Sequence, residues 1–394
     1  MITMLNKFSQ KWLALGLALL VVLSLLTGTA ATAKAASDDA APLWNGSGGL
    51  FSPDAIYTLT NAANGNAVAI YNRSDSGQLR LTSWVFTGGN GTGAGLGSQQ
   101  ALTLENGWLF AVNAGSNTIS VLKALPYGLY LTDTIDSGGV LPISVTAHDD
   151  VVYVLNAGDT THANNISGFS LNRSGKLSPI ENSTQPLSNP AVGPAQVAFS
   201  PNGRVLVVTE KNTNKLDTFT LNRAGQAANH KVFNSAGTTP FGFSFDGNTR
   251  LVVSEAFGGA TNGSAASSYR VADNGDLSVV SASVATHQTA ACWVAVTPNG
   301  KFAYTGNPTS NSLTGYAVAG NGQITLLNSD GVTGSTAAGS APQDEVISRD
   351  GRFLYVLDTK VGKISGFQIS QNGQLTSIGD FGGLPLGSVG LTGR

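Results

Sequence analysis

Pro194 to Glu210 read PAQVAFSPNGRVLVVTE: an apolar strand, a Pro-Asn-Gly turn, and a second apolar strand ending on a charge. Alternation at period two broken by Asn-Gly is a hairpin signal, because those residues tolerate the positive φ that a tight turn needs. KLDTFTLN (215–222) supplies a third strand, Asn222 to Gly225 the next turn, and the residues after it an outermost strand. The same register returns as FSFDGNTRLVVSE (243–255), VAVTPNGKFAYTGN (294–307) and VISRDGRFLYVLD (346–358). The second-hairpin glycines fall at Gly77, Gly128, Gly175, Gly225, Gly275, Gly322 and Gly373, spaced by 51, 47, 50, 50, 47 and 51 residues. A period near 50 built from short strands marks propeller blades, whereas a parallel β-helix repeats at a much shorter interval.

The two ends of the repeat complete each other. AIYTLTN (55–61) resembles a second strand with no inner strand before it, and LPLGSVGLTG (384–393) an inner strand with nothing after it. Joining them closes the ring and leaves no open sheet edge. The expected fold is therefore all-β: a seven-bladed β-propeller of four-stranded antiparallel blades over residues 54–394, closed by its C-terminal strand joining the N-terminal blade.

Residues 1–35 read differently. Lys7 and Lys11 precede an apolar run from Trp12 to Leu26, then small residues with Ala31-Thr32-Ala33 or Ala33-Lys34-Ala35 as cleavage sites. The run is shorter than the roughly 20 residues that span a bilayer, so it reads as a secretory signal peptide. Residues 36–53 read as a flexible lead-in. The expected location is secreted or extracytoplasmic, with no membrane association after cleavage. Cys292 is the only cysteine, so no intramolecular disulfide is available and stability rests on the core. A formal net charge of −2 gives no sign of a nucleic-acid partner.

In a propeller, the second-to-third and outer-to-inner connections share the face around the channel mouth. The second strands end at Asn61, Asn113, Asn156, Glu210, Glu255, Asn307 and Asp358, all polar after strongly apolar strands. Asn and Asp commonly end strands by bonding local backbone. Glu makes no equivalent short-range turn, which singles out Glu210 and Glu255 on adjacent blades. Paired carboxylates suit acid–base work, a metal, or a cationic ligand, and all three uses stay open. The inner-strand starts add Gln100, Gln196, Phe241, Cys292, Trp293, Gln343 and Asp344 as rim candidates, aromatics beside amides that suit a polar small molecule or glycan. His162 and His287 lie on the mouth face, with His287 the candidate assistant to the glutamates; His148 and His230 lie elsewhere. No HxH, HExxH or GxSxG spacing occurs, so no metal site or nucleophile elbow is read and no cofactor is implied.

The recurring SPNG-type turn and the segments GPAQVAFSPNG, ISGFSLNRSGKL (166–177) and ISGFQISQNGQL (364–375) resemble the lactonase-like seven-bladed propellers. That group includes propeller-type 6-phosphogluconolactonases and carboxymuconate-lactonizing enzymes, and the resemblance runs from about residue 54 to the C-terminus. It implies a histidine where this chain has Ala195, an arginine where it has Phe241, and a glutamate that is retained as Glu255. With the first two absent and carboxylates around the mouth, anionic lactones are expected to be repelled unless Lys211 or Arg270 substitutes. The resulting expectation is a hydrolase for an uncharged or cationic lactone or ester, with Glu255 as base and Glu210 or His287 assisting. The alternative is a non-catalytic propeller binding a polar small molecule, glycan or protein on the same face, at Gln196, Phe241, Trp293, Asp344, Asn113, Asn156, Asn307 and Asp358.

Overall fold

The computed structural model describes residues 54–394; the expected signal peptide and lead-in lie outside the described residues. Seven antiparallel sheets follow one another along the chain. Blade four shows the plan, with Pro194–Phe199 innermost, then Val205–Glu210, Lys215–Leu221 and Ala227–Asn234 outermost. The inner strands of successive blades touch in a closed ring, and Val389–Gly393 lies between those of blades seven and two. That strand pairs with Ala55–Leu59, so the last strand completes the first blade.

The second strands carry the core. Val205 to Glu210 are buried throughout, because each strand is packed between two neighbouring blades. The glycine period has a packing cause as well as a turn cause. Gly77 and Gly373 have φ of 83° and 82°, and a Cβ at either would lie 2.5 Å from Phe353 or Phe302 of the preceding blade. A buried tyrosine then bolts the blades together. Tyr153, Tyr304 and Tyr355 each donate to the turn-glycine carbonyl of the next blade, at Gly225, Gly373 and Gly77 respectively, within 2.7–2.8 Å. The hydroxyl is thus satisfied where burial would otherwise penalise it.

Two blades depart from the four-strand plan at their rims. In blade three the outer edge is split into Leu177–Pro179 and Gln185–Pro186, and in blade six into Ile324–Leu326 and Gly334–Ser335. Where the ladder lapses, a hydroxyl replaces it: Gly168 donates to Ser183 Oγ at 3.0 Å and Gly315 to Thr333 Oγ1 at 2.9 Å. Broken edges of this kind also discourage pairing with another chain.

Candidate functional site

Six of the expected residues end their second strands, Asn113, Asn156, Glu210, Glu255, Asn307 and Asp358, while Asn61 lies two residues beyond the end of its strand at Leu59, with φ 52°; all seven are buried. Each side chain fastens the end of its second strand to the neighbouring third strand or to nearby loops. Asn113 accepts from Thr87 Oγ1 at 2.7 Å and donates to Ser120 Oγ at 2.8 Å. Asn156 donates to Asn165 Oδ1, Asn307 to Thr314 Oγ1, and Asp358 accepts from Ser365 Oγ.

The two glutamates do the same with longer arms. Glu255 accepts from the Gly237 amide at 2.8 Å and from the hydroxyls of Ser267 and Ser283. Glu210 accepts from the Ser188 amide at 3.0 Å, from Ser188 Oγ at 2.6 Å, and from Thr213 Oγ1. The Ser188 amide also reaches Asp217 Oδ2 at 3.1 Å, and Asp217 meets His230 at 3.0 Å. Burial raises the pKa of Glu255 against the opposing pull of these donors, and burial with neighbouring Asp217 raises that of Glu210. Both residues are 0% exposed. Neither glutamate is therefore open to the mouth, and among the described residues the two share no hydrogen-bond partner with each other or with His287.

Gln196, Phe241, Cys292, Trp293 and Asp344 are brought together on the channel wall, and they are buried too. Their cover was not legible in the sequence. It is the segment Gly97–Gln100, at the end of a glycine-rich arm running from blade one to blade two. Ser98 O accepts from Trp293 Nε1 at 2.9 Å, and Ser98 Oγ donates to Ile143 O at 2.8 Å. Gln99 Nε2 donates to Val294 O at 2.8 Å. Gln100 Oε1 accepts from Gln196 Nε2 at 2.5 Å, and the Gln100 amide approaches Asp344 Oδ1 at 3.4 Å. Gln196 in turn accepts from the Phe243 amide at 2.6 Å. These carboxamides act as extra rungs on the inner strands. Burial pushes the Cys292 thiol up to about 12, so it is not a thiolate at neutral pH.

One charged group stands at the rim of this plug. Lys211, just after the second strand of blade four, donates to Gly97 O at 2.6 Å and sits 4.9 Å from the Phe241 ring centroid. Desolvation pulls its pKa down to about 8. Arg270 does not share this place. It lines a cleft of about 530 Å³ with Arg250, Asn202 and Gly320, at the opposite ends of the strands. His287 is exposed at a positive-φ turn position, φ 57°. His162 is exposed and held by Asp159, Nδ1 to Oδ1 2.9 Å. Gln343 is half-buried. Among the described residues no three His, Cys, Asp or Glu side chains converge as a metal cluster.

Seven four-stranded blades around a filled channel define a seven-bladed β-propeller. The sequence profile described as "Lactonase, 7-bladed beta-propeller" matches residues 163–293 and 268–385, and the chain belongs to that family. Among solved structures it is similar to a protein from Bacteroides fragilis provisionally assigned as a 6-phosphogluconolactonase. The TM-score is 0.67 at 17% identity, covering 88% of this chain and 100% of that one. It is also similar to the periplasmic gluconolactonase of Pseudomonas aeruginosa, with TM-score 0.67, 15% identity, and coverage of 86% and 98%. A protein from Lactobacillus plantarum gives TM-score 0.69 at 15% identity, covering 86% and 99%. At these identities the likeness speaks for the fold. No curated protein matches the sequence.

Proposed function

We propose that this lactonase-family propeller is an exported hydrolase of a lactone or related ester, acting on the mouth face outside the plug. The observation that carries the reading is Lys211. Its ammonium is partly buried, has no carboxylate partner among the described residues, and is aimed over the plug by Gly97 O and the Phe241 ring. In lactone hydrolysis water adds to the acyl carbon and the ring C–O bond breaks, with negative charge building on the carbonyl oxygen. A fixed N–H donor in a partly dry site stabilises that charge. The water-activating role falls to the mouth-face imidazoles on either side of it in blade order, His162 and His287. With the glutamates sealed and a cation at the rim, a neutral or anionic acyl group is favoured over a cationic one. Glu255 is shifted in the direction a base requires, yet it is fully buried and its oxygens hold the strand end in place.

A hydrolysis screen of neutral and anionic lactones, run on the purified domain beside Lys211→Met and Lys211→Arg, tests this. Turnover lost in the Met variant and partly kept in the Arg variant supports the reading. No turnover of any lactone by folded protein defeats it and favours the second reading, a non-catalytic propeller binding a polar small molecule, glycan or protein. The filled channel and the 0% exposure of both glutamates favour that second reading.

A further inference from the structure

In each inner strand one position faces the preceding blade, and in blades two to seven it pairs with the second-strand residue two before the strand end. Six blades place an apolar side chain there: Leu391, which packs against blade seven, and Leu102, Val145, Val197, Phe243 and Val294, all buried. Blade seven places Glu345, paired with Val356 and only 8% exposed. Among the described residues neither of its carboxylate oxygens has a hydrogen-bond partner.

The facing residue on blade six is also exceptional. One residue before the second-strand end, blades four and five carry Thr209 and Ser254. Their hydroxyls donate to the next blade's inner-strand carbonyls, Phe241 O and Cys292 O. In the same register blades two, three and seven carry Val112, Leu155 and Leu357, whereas blade six has Gly306 facing Gln343 O, so this junction has neither a hydroxyl donor nor an apolar side chain to fill it. A Cβ on Gly306 would meet Glu345 Oε1 at 2.7 Å, Pro342 O at 3.4 Å and Gln343 O at 3.6 Å. The three nearest atoms to that point are all oxygen acceptors. Acceptors converging on one spot repel each other unless a donor or a positive charge sits among them.

We propose that the junction of blades six and seven is a binding site for a hard cation, held by the Glu345 carboxylate and the main-chain carbonyls of Pro342 and Gln343. An all-oxygen set of one carboxylate and two carbonyls, completed by water, suits Ca²⁺ rather than a soft metal. The ionisable neighbour is Asp344, whose oxygens already face the amides of Gly390 at 2.9 Å and Gln100 at 3.4 Å. Burial, and secondarily Asp344, raises the Glu345 pKa well above the usual carboxylate range, so the cation must displace a proton. Such a site is independent of any activity at the mouth.

Calorimetric titration of the chelator-treated protein with CaCl₂ in two buffers of different ionisation enthalpy tests it, together with melting curves. The expected result is one ion per chain, release of about one proton per ion near neutral pH, and a higher melting temperature. Glu345→Gln should remove all three effects. The double variant Glu345→Val with Gly306→Ser reproduces the Ser254 and Val294 combination of the blade five to six junction and should fold with no response to Ca²⁺. Two outcomes overturn the proposal: no heat and no thermal shift at millimolar Ca²⁺ in the unmodified protein, or a response that either variant keeps. Glu345 would then be a neutral acid donating to one of the carbonyls.

Discussion

The carboxamide of Gln99 donates to the carbonyl of Val294 at 2.8 Å and accepts from its amide at 3.0 Å, joining positions 195 residues apart across the channel. Gly242 leaves the slot in which it lies, since a Cβ there would stand 2.0 Å from Gln99 Oε1. Gln99→Ala should therefore cost about 1–3 kcal/mol, the penalty for leaving the buried Val294 groups unpaired. Gly242→Ala should destabilise by expelling the same side chain. Denaturant unfolding gives the magnitude, and faster amide exchange at Val294 in both variants identifies the cause.

Glu255 serves three donors, one on the loop entering blade five and one on each of that blade's two outer strands, and Gly237 is a glycine because a Cβ there would sit 2.1 Å from Glu255 Oε2. Glu255→Ala strands those donors and should cost about 2–4 kcal/mol, whereas Glu255→Gln keeps part of the network and costs less. Equal losses in chemical denaturation would contradict this anchoring role.

Stability should fall as pH rises across the weakly acidic range. Burial pushes Asp344 up to about 7 and Asp358 to about 6, and it raises Glu210, Glu255 and Glu345 as well. The folded chain then binds more protons than the unfolded one between about pH 4 and pH 7, so the unfolding free energy declines over that interval. In cation-free buffer the melting temperature should be higher at pH 5 than at pH 7. A flat or rising profile would count against these shifts.

Lys211 carries the opposite sign. Desolvation brings its pKa down to about 8, so the ammonium is lost earlier on the alkaline side than at an exposed lysine. Any turnover that uses its charge should decline as pH rises through about 8, and Lys211→Arg should extend the active range upward. An unchanged alkaline limb in the arginine variant would remove Lys211 from the chemistry.

The fold was legible because its signals are local and repeated. Asn-Gly and Asp-Gly turns at one register announce hairpins, and the orphan strands at 55–61 and 384–393 announce the closure. The candidate site was legible only as a set of positions. Asn113, Glu210 and Glu255 do end their strands on the mouth side, but nothing in their own neighbourhoods says that loops will bury them. The partners of Gln99 and Lys211 lie more than a hundred residues away in the chain. The arm itself, rich in glycine, carries no periodic pattern that would place it over the channel. The tyrosine bolts are hidden in the sequence for the same reason: Tyr153 reads as ordinary core, and its partner Gly225 lies 72 residues away.

Deleting the chain after Gly383 removes the strand Val389–Gly393 and bares Ala55–Leu59 and the inner strands beside it. The truncated domain should unfold or associate through that edge, visible as a lost cooperative melt or as oligomers by light scattering. A monomer with unchanged melting temperature would show that the closure is dispensable.

That closure also sets a clock on biogenesis. Ile56 near the start of the ring finds its partner Gly393 only when the final strand has been made. At about 5–20 residues per second, synthesis leaves the first blade incomplete for on the order of tens of seconds. Through that wait the nascent chain holds a row of unpaired backbone groups, which is when a chaperone would have most to do.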